Sequence, residues 1–341
     1  LESELIKYLG SKRELIGTIL ECIAKASPDA RSVVDLFSGT ARVGYALKAA
    51  GYQVFSNDHN QYAHVLARCY VEADNGLLSK QAQKIIDELN ALPGHSGFFT
   101  KTYCLESRFF HPQNGEKIDA IRQAIENARL DEPLRSVILV SLMEAADRVD
   151  STCGIQMAYL KQWAARAHKP IQLRLPALLD ASRHGPGKAL GLEAESAASM
   201  LHGDVLYLDP PYNQHNYRAN YHIWETLVRF DQPQVYGKAQ KRIDCKEKKS
   251  DFNFKHRFKA AFCRVLDASK APVVIVSFNN EGFVTREEME TLLSARGNVS
   301  TVVNDYKRYI GAQIGIYSPQ GLKVGKAGHL YNQEYIYILK R

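Results

Sequence analysis

The sequence has little that could hold it together covalently: six cysteines in 341 residues, with no Cys-x-x-Cys pair. Cys22, Cys69, Cys104, Cys153, Cys245 and Cys263 are scattered, which argues against a disulfide scaffold and a zinc knuckle and reads as reduced cytosolic thiols. Long apolar runs are missing too. Nothing approaches the roughly 18 uninterrupted apolar residues of a membrane-spanning helix. The opening LESELIKYLGSKRE lacks the apolar centre of a secretion signal, so secretion is not expected. Internal repeats and low-complexity tracts are absent. Acidic residues are the scarcer charge, 37 against 44 Lys and Arg; the net charge of +7 mildly favours a polyanionic partner without identifying one.

What is present is an ordinary globular balance, 45% hydrophobic and 24% charged, at a length that suits one large domain with an insertion or two domains. SVVDLF (32–37) is a short apolar strand, followed by the glycine-bearing SGTARVG and an amphipathic helix that closes at Gly51. YQVFSND (52–58) is a second strand ending on an acid, and NQYAHVLARCYVEAD a second helix. This β-α-β-α order predicts a parallel, doubly wound sheet. Residues 75–187 break the rhythm. SKQAQKIIDELNAL, EKIDAIRQAIENARL, PLRSVILVSLMEAADRV and IQMAYLKQWAARA all space their apolar residues as helices do, which predicts a helical insertion. Strands resume at 188–195, 204–209, 271–278, 299–306 and 334–340, the last two as an antiparallel hairpin. The domains expected are therefore 1–74 with 188–341, and the insertion 75–187.

DLFSGTARVG places Gly39, Ala41 and Gly44 between a strand and a helix, where small residues let the backbone approach a nucleotide closely. Asp58, at the next strand's end, can accept both hydroxyl protons of a ribose, or simply cap the helix that follows. The loop suits NAD and S-adenosylmethionine equally. Asp35, four residues before Gly39, tilts the balance: a carboxylate there suits a cationic amino group and would repel a pyrophosphate.

The stretch DVLYLDPPYN ends a strong strand on Asp209, Pro210, Pro211 and Tyr212. An exocyclic amine of a nucleobase is a poor nucleophile because its lone pair is delocalised into the ring. Acceptors set against both N–H bonds would draw the nitrogen toward tetrahedral geometry. Asp209 supplies one acceptor and the Pro210 carbonyl another, because Pro211 holds Pro210 extended. Neither proline brings a competing N–H. Tyr212 offers a flat face for stacking. The alternative is a strand merely stopped by prolines, with Asp209 capping the turn. The position beside SVVDLF, at the carboxyl edge of an open sheet, favours the chemical reading.

These residues resemble the Dam-like, alpha-group N6-adenine DNA methyltransferases, particularly those paired with restriction endonucleases. The likeness spans nearly the whole chain, through KYLGSKR, DLFSGTARVG, SND, NGEKIDAIRQAI, AYLKQW, YLDPPYN, NYHIWETL and SFNNEGF. It implies transfer of a methyl group from S-adenosylmethionine to the N6 amine of an adenine flipped out of double-stranded DNA, in the bacterial cytoplasm. It implies that Tyr8, Lys12, Asp35, Phe37, Gly39, Asp58 and Glu195 bind the cofactor, with Lys12 on its carboxylate, Asp35 on its ammonium and Glu195 near its adenine. Asp209, Pro210, Pro211 and Tyr212 would form the catalytic clamp. It further implies that 75–187 recognises the target sequence, that a cognate restriction endonuclease exists, and that the chain acts as a monomer or weak dimer. Ala41 departs from the glycine usual in the family, a change expected to be tolerated.

Phosphate contacts are expected from the loop 311–330 and from 238–259, which holds nine Lys and Arg against three acids. In the latter, Phe252, Phe254 and Phe258 could instead anchor the segment to the core. NQHNYRANYH, after the clamp, is expected to be a mobile loop closing over the base, aided by Asn213, Tyr217 and Tyr221. Three rival functions fit less well: an N4-cytosine DNA or RNA base-amine methyltransferase, a catalytically silent DNA-binding relative, and a nicotinamide-dependent oxidoreductase. Aspartate at 209 favours adenine over cytosine, and intact Asp35, Asp58 and Asp209 argue against decay.

Overall fold

The computed structural model describes residues 6–307 except 215 and 248, together with 316–317, 323–325 and 331–341. Apolar runs too short for helices form a seven-stranded sheet: β1 (Ser32–Asp35), β2 (Gln53–Asn57), β3 (Lys188–Leu190), β4 (Val205–Leu208), β5 (Val273–Asn279), β6 (Asn298–Lys307) and β7 (Tyr331–Lys340). Their order across the sheet is β3-β2-β1-β4-β5-β7-β6. Strands β1 to β5 pair in parallel, and β7 runs antiparallel to both its neighbours. This is the mostly parallel, doubly wound sheet with a closing hairpin that the sequence predicts. No helix among the described residues is long and apolar enough to cross a membrane.

The helices that cover the sheet are α1 (Ile16–Ala26), α2 (Arg42–Ala49), α3 (Gln61–Ala67), α4 (Asn75–Ala91), α5 (Pro112–Ala128), α6 (Leu134–Arg148), α7 (Ala194–Met200), α8 (His222–Arg229), α9 (Lys255–Ala268) and α10 (Arg286–Ser294). Side chains alternate between the two faces of a strand. Val33, Val205, Tyr207 and Ile275 therefore join one core with α1 to α6 and α8, while Val34, Leu206, Leu208, Val274 and Val276 join another with α7, α9 and α10. With both faces covered, β4 and β5 are buried along their whole length. The helices of 75–187 share the first core with the sheet: Ile86, Ile118, Ile121 and Leu142 pack in the same cluster as Val33 and Ile275.

Three local expectations are corrected. Residues 155–167 are not a helix; only the 3-10 turn Ala165–His168 forms there. Tertiary bonds outcompete the helical pattern: the Gln156 side chain accepts from the Ile223 N–H, its backbone N–H donates to Asn220, and Asp150 takes Arg166 at 2.7 Å. The strand expected over 188–195 stops after Leu190 and continues as α7. At the stop, Gly191 lies so close to His64 that an added Cβ would sit 2.6 Å from its Nδ1. The segment after the clamp is largely helical: Asn216 caps the short turn Tyr217–Asn220, which leads into α8. His215, and most of the 311–330 loop, lie outside the described residues.

The strand order reverses between β1 and β4, which opens a crevice beyond their carboxyl ends, where open α/β sheets bind ligands. Antiparallel β7 brings its amino-terminal end to this same edge, with Glu334 opposite Asn279 of β5.

Candidate active site

A cavity of about 780 Å³ opens at this crevice, lined by Tyr8, Lys12, Asp35, Phe37, Gly39, Asp58, Glu195, Asp209, Pro210, Pro211 and Tyr212 among others. The cofactor and clamp residues expected from the sequence thus border one space, as does Tyr217, whereas Ala41, Gly44, Asn213 and Tyr221 do not line it. The residues come from separated elements, and each is placed by a local cause.

Asp35 is the last residue of β1 and is almost fully buried. Its Oδ2 has no hydrogen-bond partner. Burial, reinforced by the charge of Asp209, pushes its pKa up to about 7, against one opposing hydrogen bond from the Gly44 backbone. A buried carboxylate oxygen without a donor is costly unless something cationic meets it. Gly39 turns with φ +50°, and an added Cβ would lie 3.4 Å from the Tyr8 hydroxyl. The turn therefore favours glycine for its backbone, while a Cβ there would make only ordinary contact with Tyr8.

Asp58 is more committed than a free ribose ligand would be. Its Oδ2 accepts the Gly39 N–H at 3.1 Å, and its Oδ1 accepts from the backbone and side chain of Asn60 at 2.9 and 3.1 Å. Asn60 itself starts α3, so Asp58 ties the glycine loop to that helix start and keeps spare lone pairs. Phe37 meets Phe252 edge-on at 5.0 Å, and Phe252 and Phe258 are core residues, so aromatics do anchor part of the basic segment. Tyr8 lies nearly parallel to Tyr217 and Tyr221, at 5.4 and 4.6 Å between ring centres. Glu195 sits in the first turn of α7, with its carboxylate 2.8 Å from Arg264.

Ala41 adopts φ 59°, ψ 16° and is fully buried. A left-handed alanine costs about 1–2 kcal/mol. Its methyl recovers roughly 0.8 kcal/mol by burial, and glycine would lose a similar amount in backbone entropy. The terms nearly cancel. Ala41→Gly is therefore expected to unfold within about 1 kcal/mol of the parent, whereas Ala41→Val, β-branched at positive φ, should lose at least about 2 kcal/mol in denaturant titrations.

On the other side of the crevice, Asp209 follows β4. Its Oδ1 lies 3.0 Å from the Lys12 ammonium. Burial raises Asp209 to about 6, with Lys12 opposing the shift and Glu334 adding to it. Tyr212 packs edge-on against Phe278 at 5.6 Å, and its carbonyl accepts the Phe283 N–H at 2.9 Å. SFNNEGF thus braces the backbone of the clamp.

The Lys12 ammonium borders the cavity and is ion-paired with two carboxylates, 3.0 Å from Asp209 Oδ1 and 2.7 Å from Glu334 Oε1, the latter without hydrogen-bond geometry. Burial works against the charge, but the two carboxylates outweigh it and hold the pKa well above the ordinary lysine value. Glu334 was missed from sequence. So was Asn57, whose side chain grips the backbone of Leu36 and Leu192 and joins the β1 loop to the β3 exit. A carboxylate opening an apolar strand was the available signal for Glu334.

The arrangement offers an anionic, largely buried cleft with two kinds of acceptor: Asp35 beside the glycine turn, and Asp209 with the Pro210 carbonyl beside Tyr212. The model of the D12 class N6 adenine-specific DNA methyltransferases matches residues 8–291. The chain is 30% identical to the type II methyltransferase M.NlaIII of Neisseria lactamica, over 98% of this chain and 99% of that protein. It is 30% identical to M.CviAII of Paramecium bursaria Chlorella virus 1, over 89% and 92%. It is 31% identical to M.FokI of Planomicrobium okeanokoites over 86% of this chain, which spans 47% of that longer protein.

Proposed function

The chain belongs to the D12 class of N6 adenine-specific DNA methyltransferases, and from that premise we propose that its methyl donor is S-adenosylmethionine and that donor and extruded adenine meet in the β1–β4 crevice. It is a site-specific DNA methyltransferase of the kind found in type II restriction-modification systems. The observation that carries the finer reading is the convergence of two buried carboxylates at the ends of adjacent strands on one cavity: Asp35, whose Oδ2 has no hydrogen-bond partner, and Asp209.

S-adenosylmethionine supplies a methyl group on a positively charged sulfur, open to direct displacement. The chain's residues fit it. Asp35 would hold the ammonium, Gly39, Phe37 and Tyr8 would wall the methionine and sugar, and the remaining lone pairs of Asp58 would take ribose hydroxyls. Glu195, tied to Arg264, would stand at the adenine end.

Adenine must leave the duplex to enter such a pocket. Tyr212 would stack on it, while Asp209 Oδ2 and the Pro210 carbonyl accept its two N6 hydrogens. Those bonds localise the nitrogen lone pair as the carbon–nitrogen bond forms. The alkylated nitrogen would carry a surplus proton, which the Asp209 carboxylate would take. Catalysis rests on positioning and electrostatics.

The helical region 75–187 is proposed to read the target sequence, and the 238–259 and 311–330 segments to contact phosphates, in a chain working as a monomer or weak dimer beside a cognate endonuclease. Incubation with methyl-tritiated S-adenosylmethionine and unmethylated duplex DNA should place the label in N6-methyladenine. Label confined to RNA, or found as N4-methylcytosine, would overturn the reading.

A further inference from the structure

We propose that Glu334 is a positioning residue for methyl transfer: it anchors Lys12 so that the ammonium occupies Oδ1 of Asp209 and leaves Oδ2 to the target amine. The inference rests on the reading of Asp209 as the acceptor for that amine.

Glu334 is 2% exposed and does not line the cavity, whereas Lys12 and Asp209 both do. Lys12 Nζ lies 2.7 Å from Glu334 and 3.0 Å from Asp209, so one ammonium is shared by two carboxylates. A lysine head group on a flexible stem, with a single carboxylate as partner, can move to either oxygen of it, including the one the substrate needs. A second carboxylate in contact with the same ammonium restricts that freedom. It also keeps the ammonium from settling wholly on Asp209, where it would compete with the incoming N–H. The groups that bear on Asp209 are Lys12, Glu334, Asp35, Tyr207 and Tyr217, and only Lys12 among them is cationic. Among the described residues Lys12 is thus the cation that bears on Asp209, and Glu334 is the second carboxylate on Lys12.

The test is Glu334→Gln in single-turnover methylation of duplex DNA at saturating S-adenosylmethionine. The amide keeps the shape and removes the charge. The methyl-transfer rate is expected to fall about tenfold or more, with cofactor affinity by calorimetry changed only a few-fold. The acid limb of the rate profile should move to lower pH, because a negative neighbour of Asp209 has been neutralised and Lys12 is left to it. Glu334→Asp should recover part of the rate. In a Lys12→Met background the further substitution Glu334→Gln should change the rate less than about twofold, since residues acting through one another are not additive. A Glu334→Gln enzyme that is merely less heat-stable, with unchanged rate and pH profile, would overturn the proposal. So would full additivity with Lys12→Met. Either result, obtained while the parent still labels adenine, leaves the wider reading standing; failure of the parent to label DNA would strike that reading instead.

Discussion

Asp209→Ala is expected to lower methyl transfer to duplex DNA about a thousandfold or more, while leaving the affinity for S-adenosylmethionine within a few-fold of the parent. The size follows from where the carboxylate acts. It touches the target amine, and its benefit grows as the nitrogen gains positive charge, so its loss appears in the chemical step. The fold should survive. Lys12 keeps Glu334 at 2.7 Å, so removing Asp209 strands no buried ammonium. It also removes a carboxylate whose pKa burial has pushed up to about 6. Asp209→Asn should fall between the two, because the amide retains one acceptor but can turn a donor toward the substrate N–H. Single-turnover rates with cofactor titrations separate the two effects. Near-parental transfer by the alanine variant would remove Asp209 from the chemistry.

The elements that build this site differ in how plainly the sequence announces them. Strands β1, β4 and β5 are legible because helices cover both faces of the sheet, so each reads as an uninterrupted apolar run. The order Asp35, Gly39, Asp58, Asp209 is legible for a related reason: in a parallel sheet every strand delivers its last residue to the same edge. Glu334 obeys neither rule. It lies near the amino-terminal end of its strand, where pairing with β5 begins, and only the antiparallel return of β7 carries it to the edge where the others end. Hairpins are visible in sequence, but which end of the returning strand meets a distant lysine is not. Residues 155–167 fail for the opposite reason. Ile155, Tyr159 and Trp163 are spaced as in a helix, yet Asp150 and Gln156 satisfy the local backbone and side chains through Arg166, Asn220 and Ile223. Periodicity reports a shared face, and here Ile155 and Tyr159 reach the core only in part, without a helix. Lys12 is the intermediate case: its place at the cavity follows the motif, whereas its two partners emerge only from the folded arrangement.

Asp35→Asn should weaken S-adenosylmethionine binding about a hundredfold or more and, at the same time, make the free protein more stable at pH 8. Both effects come from one oxygen. Asp35 Oδ2 is buried without a donor, so the folded protein prefers the acid protonated and its pKa rises to about 7. The unfolded chain titrates near 4. Between those values the folded state holds a proton that the unfolded state has lost, and the contribution of Asp35 to stability therefore declines as pH rises from about 4 to 7. Above that window the penalty is fully present, on the order of 2–4 kcal/mol. Asparagine is neutral throughout. Its unfolding midpoint should exceed that of the parent at pH 8, and the two should converge near pH 4. An ammonium group brought against Oδ2 reverses the preference, because it needs the ionised carboxylate. Cofactor affinity of the parent should then fall by up to about tenfold per unit as pH drops below 7, with a proton released on binding, whereas Asp35→Asn should lack that slope. Calorimetry at several pH values in buffers of different ionisation enthalpy measures both. Parent-like affinity in Asp35→Asn would mean that the unmatched oxygen serves no cation. Equal midpoints at pH 8 would mean that the raised pKa is not there to be relieved.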